Sequence, residues 1–308
     1  MNAGCDNQKP TQFSENMNTL LITGGSGFVG RNLANFFASR CSLVTTYFQH
    51  STALDSPAQS FRLDVTDAEQ VSSIFERVRP DAVIHAAGNK DVRFCEGHAD
   101  EAYRVNALGT HNVARACRKF GARMIYLSTD LVFSCVKGGY KEDELPLPTL
   151  VYGRSKLEGE RLAFEESTDL AVCRSGGIYG NGSPLLSWLS AELAAGRVVE
   201  CFVDVFNTPT YVENLAEMME TIIMKRLTGV FHTVGRERVS RFEFFQSYAG
   251  IFGLDEDLLS PVSMAHMKDR LFLQPDSSLS VDRTAKRLGI AFDSIAEGFS
   301  RLKARGGI

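Results

Sequence analysis

The chain has 308 residues, 44% of them hydrophobic and 23% charged, enough for one large domain or two moderate ones with a proper core. A net charge of −4 and a pI near 5.9 give no electrostatic footprint for nucleic acid. No apolar run approaches the roughly 20 residues that span a bilayer, so no membrane partner is expected and small-molecule or soluble partners are the default.

Residues 1–17 are polar and lack the hydrophobic stretch of a signal peptide, so they read as a flexible tail. "TLLIT" (19–23) then reads as a buried strand and 28–39 as a helix. "SLVTTYF" (42–48) and "SFRLDV" (60–65) are the second and third strands, and Asp67 is placed to N-cap a helix through Val78. "DAVIHAA" (81–87) is the fourth strand, followed by a long helix from about Ala99 to Phe120 that Gly121 ends. "RMIYLS" (123–128) is the fifth, a helix containing Tyr152 runs to about Glu166, and "DLAVCR" (169–174) is the sixth. Strict β/α alternation of this kind predicts an α/β, Rossmann-type doubly wound parallel sheet over residues 18–174. Beyond Ser175, helical patterns (184–196, 212–225, 241–252, 293–304) mix with short extended pieces. That reads as a smaller mixed α/β lobe, 175–308, partly interleaved with the first and suited to hold a substrate. The seven cysteines form no C-x-x-C pair and no zinc spacing, so no metal is expected and a reducing cytoplasm fits.

Two stretches carry chemistry. In "TLLITGGSGFVG" a strand runs into a turn with Gly24, Gly27 and Gly30, and then into a helix. A dinucleotide needs that arrangement: a tight turn, close backbone approach to a pyrophosphate, and a helix N-terminus aimed at its charge. After the second strand the chain reads Thr46-Tyr47-Phe48-Gln49-His50, with no acid to hold a ribose diol. NADP(H) is therefore favoured over NAD(H), with Arg31 and His50 as candidate contacts for a 2′-phosphate. Asp64 is placed to accept from an adenine amino group, and Ala86, Ala87 and Gly88 end the fourth strand with small side chains where a cofactor would pass.

The second stretch is "VYGRSKLEGE", where Tyr152 and Lys156 share one helix face. A cation beside a phenol favours the phenolate and makes a proton donor usable near neutral pH. An exposed Tyr and Lys at a helix start is the plain alternative. The hydroxyls of Ser128 and Thr129 lie at the C-terminal edge of the sheet, where one of them can donate to a substrate carbonyl.

With TGGSGFVG, LDVTD, PDAVIHAAG, YRVNALGTHNVARAC, STDLVF, VYGRSKLEGE and NTPTYVENLAEMM in place, the chain resembles an extended short-chain dehydrogenase/reductase, and within that superfamily it is most similar to the dTDP-4-dehydrorhamnose reductase family. The resemblance implies a catalytic set of Thr129, Tyr152 and Lys156. By position it implies cofactor contacts at Gly24, Ser26, Gly27, Phe28, Val29, Gly30, Arg31, Asp64, Val65, Ala86, Ala87, Gly88 and Asn106, besides Tyr152 and Lys156. Asn106 matches a position that supports the lysine through water; a helix-interior Asn facing solvent is its plain alternative. A nucleotide-sugar substrate, NADPH-dependent reduction of a 4-keto group and a homodimer follow as expectations.

Three departures bear on substrate. Gly177 in "RSGGIYG" stands where family members often carry a tryptophan. Gln274-Pro275 replaces Arg-Pro, with Arg270 as a candidate substitute cation. Thr129 is followed by Asp130-Leu131, where nucleotide-sugar dehydratases have Asp-Glu. "AAGNKDVRFCE" nevertheless resembles those dehydratases. Two further readings stay open: a dehydratase or epimerase of the same superfamily, and a non-catalytic regulatory subunit similar to that of methionine adenosyltransferase. The intact Thr129/Tyr152/Lys156 set argues against the latter.

Overall fold

The alternation from Thr19 onward folds as one layered sheet in the computed structural model, which describes residues 18–51, 58–266 and 272–307. The expected tail at 1–17 and Arg270 lie outside the described residues. The strands and helices of the first half are β1 (Thr19–Thr23), α1 (Phe28–Phe37), β2 (Ser42–Tyr47), β3 (Gln59–Arg62), α2 (Ala68–Val78), β4 (Ala82–His85), α3 (Val92–Gly97), α4 (Ala99–Tyr103), α5 (Gly109–Phe120), β5 (Arg123–Thr129), α6 (Val151–Glu166) and β6 (Leu170–Ser175). Then come β7 (Ile178–Tyr179), α7 (Pro184–Ala194), β8 (Val199–Phe202), β9 (Phe206–Asn207), β10 (Thr210–Tyr211), α8 (Val212–Met224), β11 (Gly229–His232), β12 (Val239–Ser240), α9 (Arg241–Phe252), β13 (Leu259–Val262), α10 (Asp282–Leu288) and α11 (Ile295–Ala304).

Among the described residues seven strands form the main sheet, in the order β11-β6-β5-β4-β1-β2-β3, and every neighbouring pair is parallel. The α/β doubly wound class read from the sequence holds. Leu20, Leu21, Ile22, Val83, Ile84 and Ile125 are fully buried because helices cover both faces. On one face Leu33 and Phe37 of α1 meet Leu215, Met219 and Ile222 of α8. On the other, Phe75 of α2, Val113 and Cys117 of α5 and Ala163 of α6 close the layer. Strand order reverses between β1 and β4, and the crevice beyond their C-terminal ends is where such sheets hold ligands.

Local chemistry sets the element ends. Asp67 accepts from the Glu69 and Gln70 amides and caps α2, as its position predicts. Gly121, at φ 75°, stops α5. The third strand stops at Arg62, short of Val65, because Asp64 Oδ1 accepts from the Thr66 amide and hydroxyl and turns the chain. The expected long helix is interrupted by a π-helical turn at Arg104–Leu108.

Residues beyond Ser175 contribute to both halves of the molecule: β11 extends the sheet and α8 packs on α1. Tyr179, Leu189, Phe244, Tyr248 and Phe299 form a separate aromatic core among α7, α9 and α11. Among the described residues no helix is long and apolar enough to cross a membrane. The described cysteines are all free thiols.

Candidate active site

The chain leaves β1 through Gly24 at φ 71°, where a Cβ would meet Ala87 Cα at 2.8 Å. A Cβ on Gly30 would collide with the Gly24 carbonyl, so turn and helix approach each other only if both are glycine. Gly27 differs: it is the exposed N-cap of α1, and no side chain caps that helix. A Cβ there would meet only the Gly24 oxygen, at 3.4 Å, which leaves the helix N-terminus open. An open, uncapped N-terminus at the switch point suits an anionic pyrophosphate. Ser26, Phe28 and Val29 line the same turn, each partly buried.

The adenosine side is less uniform. Asp64 spends Oδ1 on Thr66, and Val65 is buried against Gly109. Ala86 and Ala87 donate their amides to the Thr23 carbonyl and hydroxyl, which pins the end of β4 beside the glycine turn. Arg31 reaches toward Gly182, and His50 is exposed just past β2. Sequence reasoning missed a further cation here. Arg62 pairs in register with Tyr47, is exposed, and donates to the Phe48 carbonyl at 3.3 Å. Its place at the C-terminal end of β3, beside β2, was legible in "SFRLDV".

At the reacting end, β5 delivers Thr129 and α6 delivers Tyr152 and Lys156. The Thr129 hydroxyl lies beside the Tyr152 phenol and eases its ionisation. It also accepts from the Leu131 amide at 3.2 Å and donates to Asp130 at 3.0 Å. Ser128, the other candidate hydroxyl, points away from this cluster and donates to Glu160 at 2.5 Å. Helix α6 lies this close because Gly153 carries no side chain, and a Cβ there would collide with the Leu131 carbonyl. Lys156 is buried and donates to the Leu127 carbonyl at 2.7 Å, with its nitrogen 4.1 Å from the Tyr126 ring centre.

The electrostatics depart from the sequence-based expectation. Burial pushes the Tyr152 phenol above its ordinary range, with the Thr129 hydroxyl opposing. Burial pulls Lys156 down to about 7, against the attraction of Glu160. Desolvation of both groups therefore outweighs any help the ammonium gives the phenol. Asn106 sits in the π turn, fully buried and not facing solvent. Its Oδ1 accepts from the Asn89 amide at 2.8 Å, and its Nδ2 donates to the Asn89 carbonyl and to Ser155. Gly88 lies between Asn106 and Lys156, where a Cβ would come within 3.0 Å of Asn106 Oδ1 and 4.0 Å of Lys156 Nζ. A narrow, side-chain-free floor of that kind suits the ribose end of a dinucleotide.

Partners from distant parts of the chain complete the site. Ser277 donates to Asp130 at 2.7 Å across 147 positions. Arg174 and Glu160 form a two-pronged buried ion pair, at 3.1 and 2.7 Å, beneath Ser128. Glu160 lies one turn past Lys156 on α6, so that half of the pair was readable; the partner strand was not. Gly177 has φ 53°, and a Cβ there would meet the Asn207 amide nitrogen at 2.7 Å. The wall where the resemblance places an aromatic ring is thus occupied from β9 by a polar amide. Gln274 meets Thr149, at 3.4 Å.

Comparisons with known proteins agree in kind. The family model described as "RmlD substrate binding domain" matches residues 17–305. A dTDP-4-dehydrorhamnose reductase of Mycobacterium tuberculosis is 34% identical over 257 residues, 80% of this chain and 79% of the relative. Methionine adenosyltransferase 2 subunit beta of Bos taurus is 27% identical over 261 residues, 79% of this chain and 75% of the relative. Among solved structures, a dTDP-4-dehydrorhamnose reductase of Bacillus anthracis in complex with NADP superposes with a TM-score of 0.82 at 26% identity, covering 94% of this chain and 99% of that one.

Proposed function

The chain belongs to the RmlD substrate binding domain family, and from that premise we propose that it is an NADPH-dependent reductase of a 4-keto, 6-deoxy nucleotide sugar. The observation that carries this reading is the Thr129–Tyr152–Lys156 cluster at the sheet edge, beside an open glycine turn. Bound NADPH supplies the hydride. Tyr152 then gives its proton to the carbonyl oxygen, Thr129 orients that oxygen, and Lys156 holds the ribose end, with Asn106 fixing the Asn89 turn beside it. Gly24, Gly27 and Gly30 admit the pyrophosphate. The substrate lies toward Gly176, Gly177 and Asn207, in a lobe built mainly from residues 175–308. Free, buried thiols support a cytoplasmic setting. The homodimer is carried over from the family resemblance.

Reduction is favoured over dehydration on one observation. Removing water across C5–C6 needs an acid and a base besides the tyrosine, and the residue after Asp130 is Leu131, which cannot abstract a proton. Incubation with dTDP-glucose or UDP-GlcNAc and NAD(P)⁺ gives no 4-keto-6-deoxy product. With a dTDP-4-keto-6-deoxy sugar, NADPH is oxidised stoichiometrically. Dehydrated product in the first mixture overturns the reductase reading. Silence in both supports the binding-subunit reading that the methionine adenosyltransferase relative raises.

The cofactor preference has its own test. With no acid after β2, with His50 and Arg62 at that edge and Arg31 on the helix that follows the glycine turn, NADPH binds more tightly than NADH in fluorescence titrations. Equal or tighter NADH binding removes any 2′-phosphate role from these cations.

A further inference from the structure

Asp130 is a buried carboxylate with no cation at ion-pair distance among the described residues. Such a group is costly to keep charged, and proteins retain one where its protonation is used. The surrounding chain is shaped to admit it: a Cβ on Gly176 would collide with its carboxyl group. Its contacts are two hydroxyls, Thr129 at 3.0 Å on Oδ1 and Ser277 at 2.7 Å on Oδ2. We propose that Asp130 is a positioning residue whose own proton decides where the Thr129 hydroxyl proton points. The consequence for turnover rests on the reductase reading above.

The argument is a count of donors and acceptors. A threonine hydroxyl has one proton and two lone pairs. One lone pair of Thr129 is taken by the Leu131 amide. When Asp130 is ionised it can only accept, so the Thr129 proton goes to it, and the Tyr152 phenol turns its own proton onto the remaining lone pair. Both reactive hydroxyls then point inward. When Asp130 is neutral, its carboxyl proton is donated to Thr129, whose hydroxyl becomes free to point at the substrate carbonyl. Tyr152 is released to do the same. Only the Tyr152 proton is transferred in the reaction, and Thr129 and Asp130 keep theirs.

The neighbourhood shifts Asp130 toward the neutral acid, which gives way to the charged form above its midpoint. Burial raises Asp130 to about 6, with the Ser277 and Thr129 hydrogen bonds opposing. The titratable groups facing it are Tyr152 from α6 and Cys135 from the following loop, both held neutral by burial. Asp276, beside Ser277, is already engaged by Arg238 at 2.7 Å.

The test is the pH dependence of kcat/KM for a dTDP-4-keto-6-deoxy sugar with NADPH, which reports the free enzyme. The wild type should lose about tenfold per pH unit as the pH rises past the Asp130 midpoint. The kcat limb should lie at higher pH, because bound substrate removes more water. Asp130→Asn, whose amide donates at every pH, should remove the limb that begins near 6, leave only the loss that follows Lys156 near 7, and exceed the wild type by about tenfold or more at pH 8. A second measurement needs no turnover: carboxyl ¹³C NMR should show Asp130 titrating near 6, and Thr129→Val should move that midpoint up, since the charged form loses a donor. An active wild type with a flat profile, or an Asp130→Asn variant that keeps the limb beginning near 6, overturns the proposal and leaves the reductase reading standing. A protein that oxidises no NADPH removes that reading, and the NMR midpoint with its Thr129→Val response still decides whether Asp130 and Thr129 are coupled.

Discussion

Replacing Tyr152 by phenylalanine lowers turnover by about 10²-fold or more and leaves affinity for the reduced cofactor nearly unchanged. The substitution deletes one oxygen and keeps the ring, which packs on Cys95, Ala102 and Val151. Folding is therefore little disturbed, and the loss falls on the proton that reaches the carbonyl oxygen. The Thr129 hydroxyl, the phenol's neighbour in the structure, stays in place but cannot stand in for it, because it is a far weaker acid and is tied to Asp130. NADPH oxidation at saturating keto-sugar, set beside a fluorescence titration of NADPH, separates the two effects. Wild-type turnover in the variant would sink the assignment of Tyr152 as the acid. A parallel loss of cofactor binding would show that the ring, and not the hydroxyl, is what matters.

Arg174→Met destabilises the fold by about 3–5 kcal/mol, the range for removing one partner of a buried ion pair. Arg174 and Glu160 are both almost wholly buried and meet through two hydrogen bonds, with Ser128 donating to the same carboxylate. Methionine fills most of the stem's volume and keeps contact with Phe133, over which the guanidinium lies at 5.1 Å. What it cannot supply is the charge, so Glu160 is left in an apolar interior with one hydroxyl donor. Urea denaturation of Arg174→Met measures the loss, and Arg174→Met with Glu160→Gln recovers part of it by removing the stranded charge. A midpoint equal to the wild type's would mean that water reaches Glu160 in the folded protein. Because Glu160 lies one helical turn beyond Lys156, the single variant also disturbs the lysine, and its turnover falls with its stability.

Much of this was readable from local pattern. The strand–glycine–helix junction at 19–30, the cap at Asp67, the stop at Gly121 and the shared face of Tyr152 and Lys156 each depend on residues within a few positions of one another. Backbone geometry turns such spacing into position with no help from the rest of the chain. The parallel sheet follows as well, because alternating strand and helix patterns leave few other ways to cover both faces.

Other features needed the chain to close on itself. Whether Ser128 or Thr129 faces the reacting cluster is decided by Glu160 and Arg174 drawing Ser128 inward. Asn106 is matched by resemblance to a lysine-supporting position, with a solvent-facing helix Asn as the alternative, and only the π turn shows it buried against Asn89 and Ser155. Gly177 reads as a missing aromatic ring until Asn207 is found against it, and Asp130 reads only as the residue shared with dehydratases until Ser277 is found covering it. The sign of the Tyr152 shift is the sharpest case. Spacing predicts a phenol eased by its neighbouring ammonium, whereas packing removes water from both groups and raises one pKa while lowering the other. Sequence by itself determined which groups share a face, because that is set by the pitch of a helix and the pleat of a strand. Only the tertiary structure decided their charge and direction, because desolvation and hydrogen bonding depend on neighbours brought in from as far as 147 positions away.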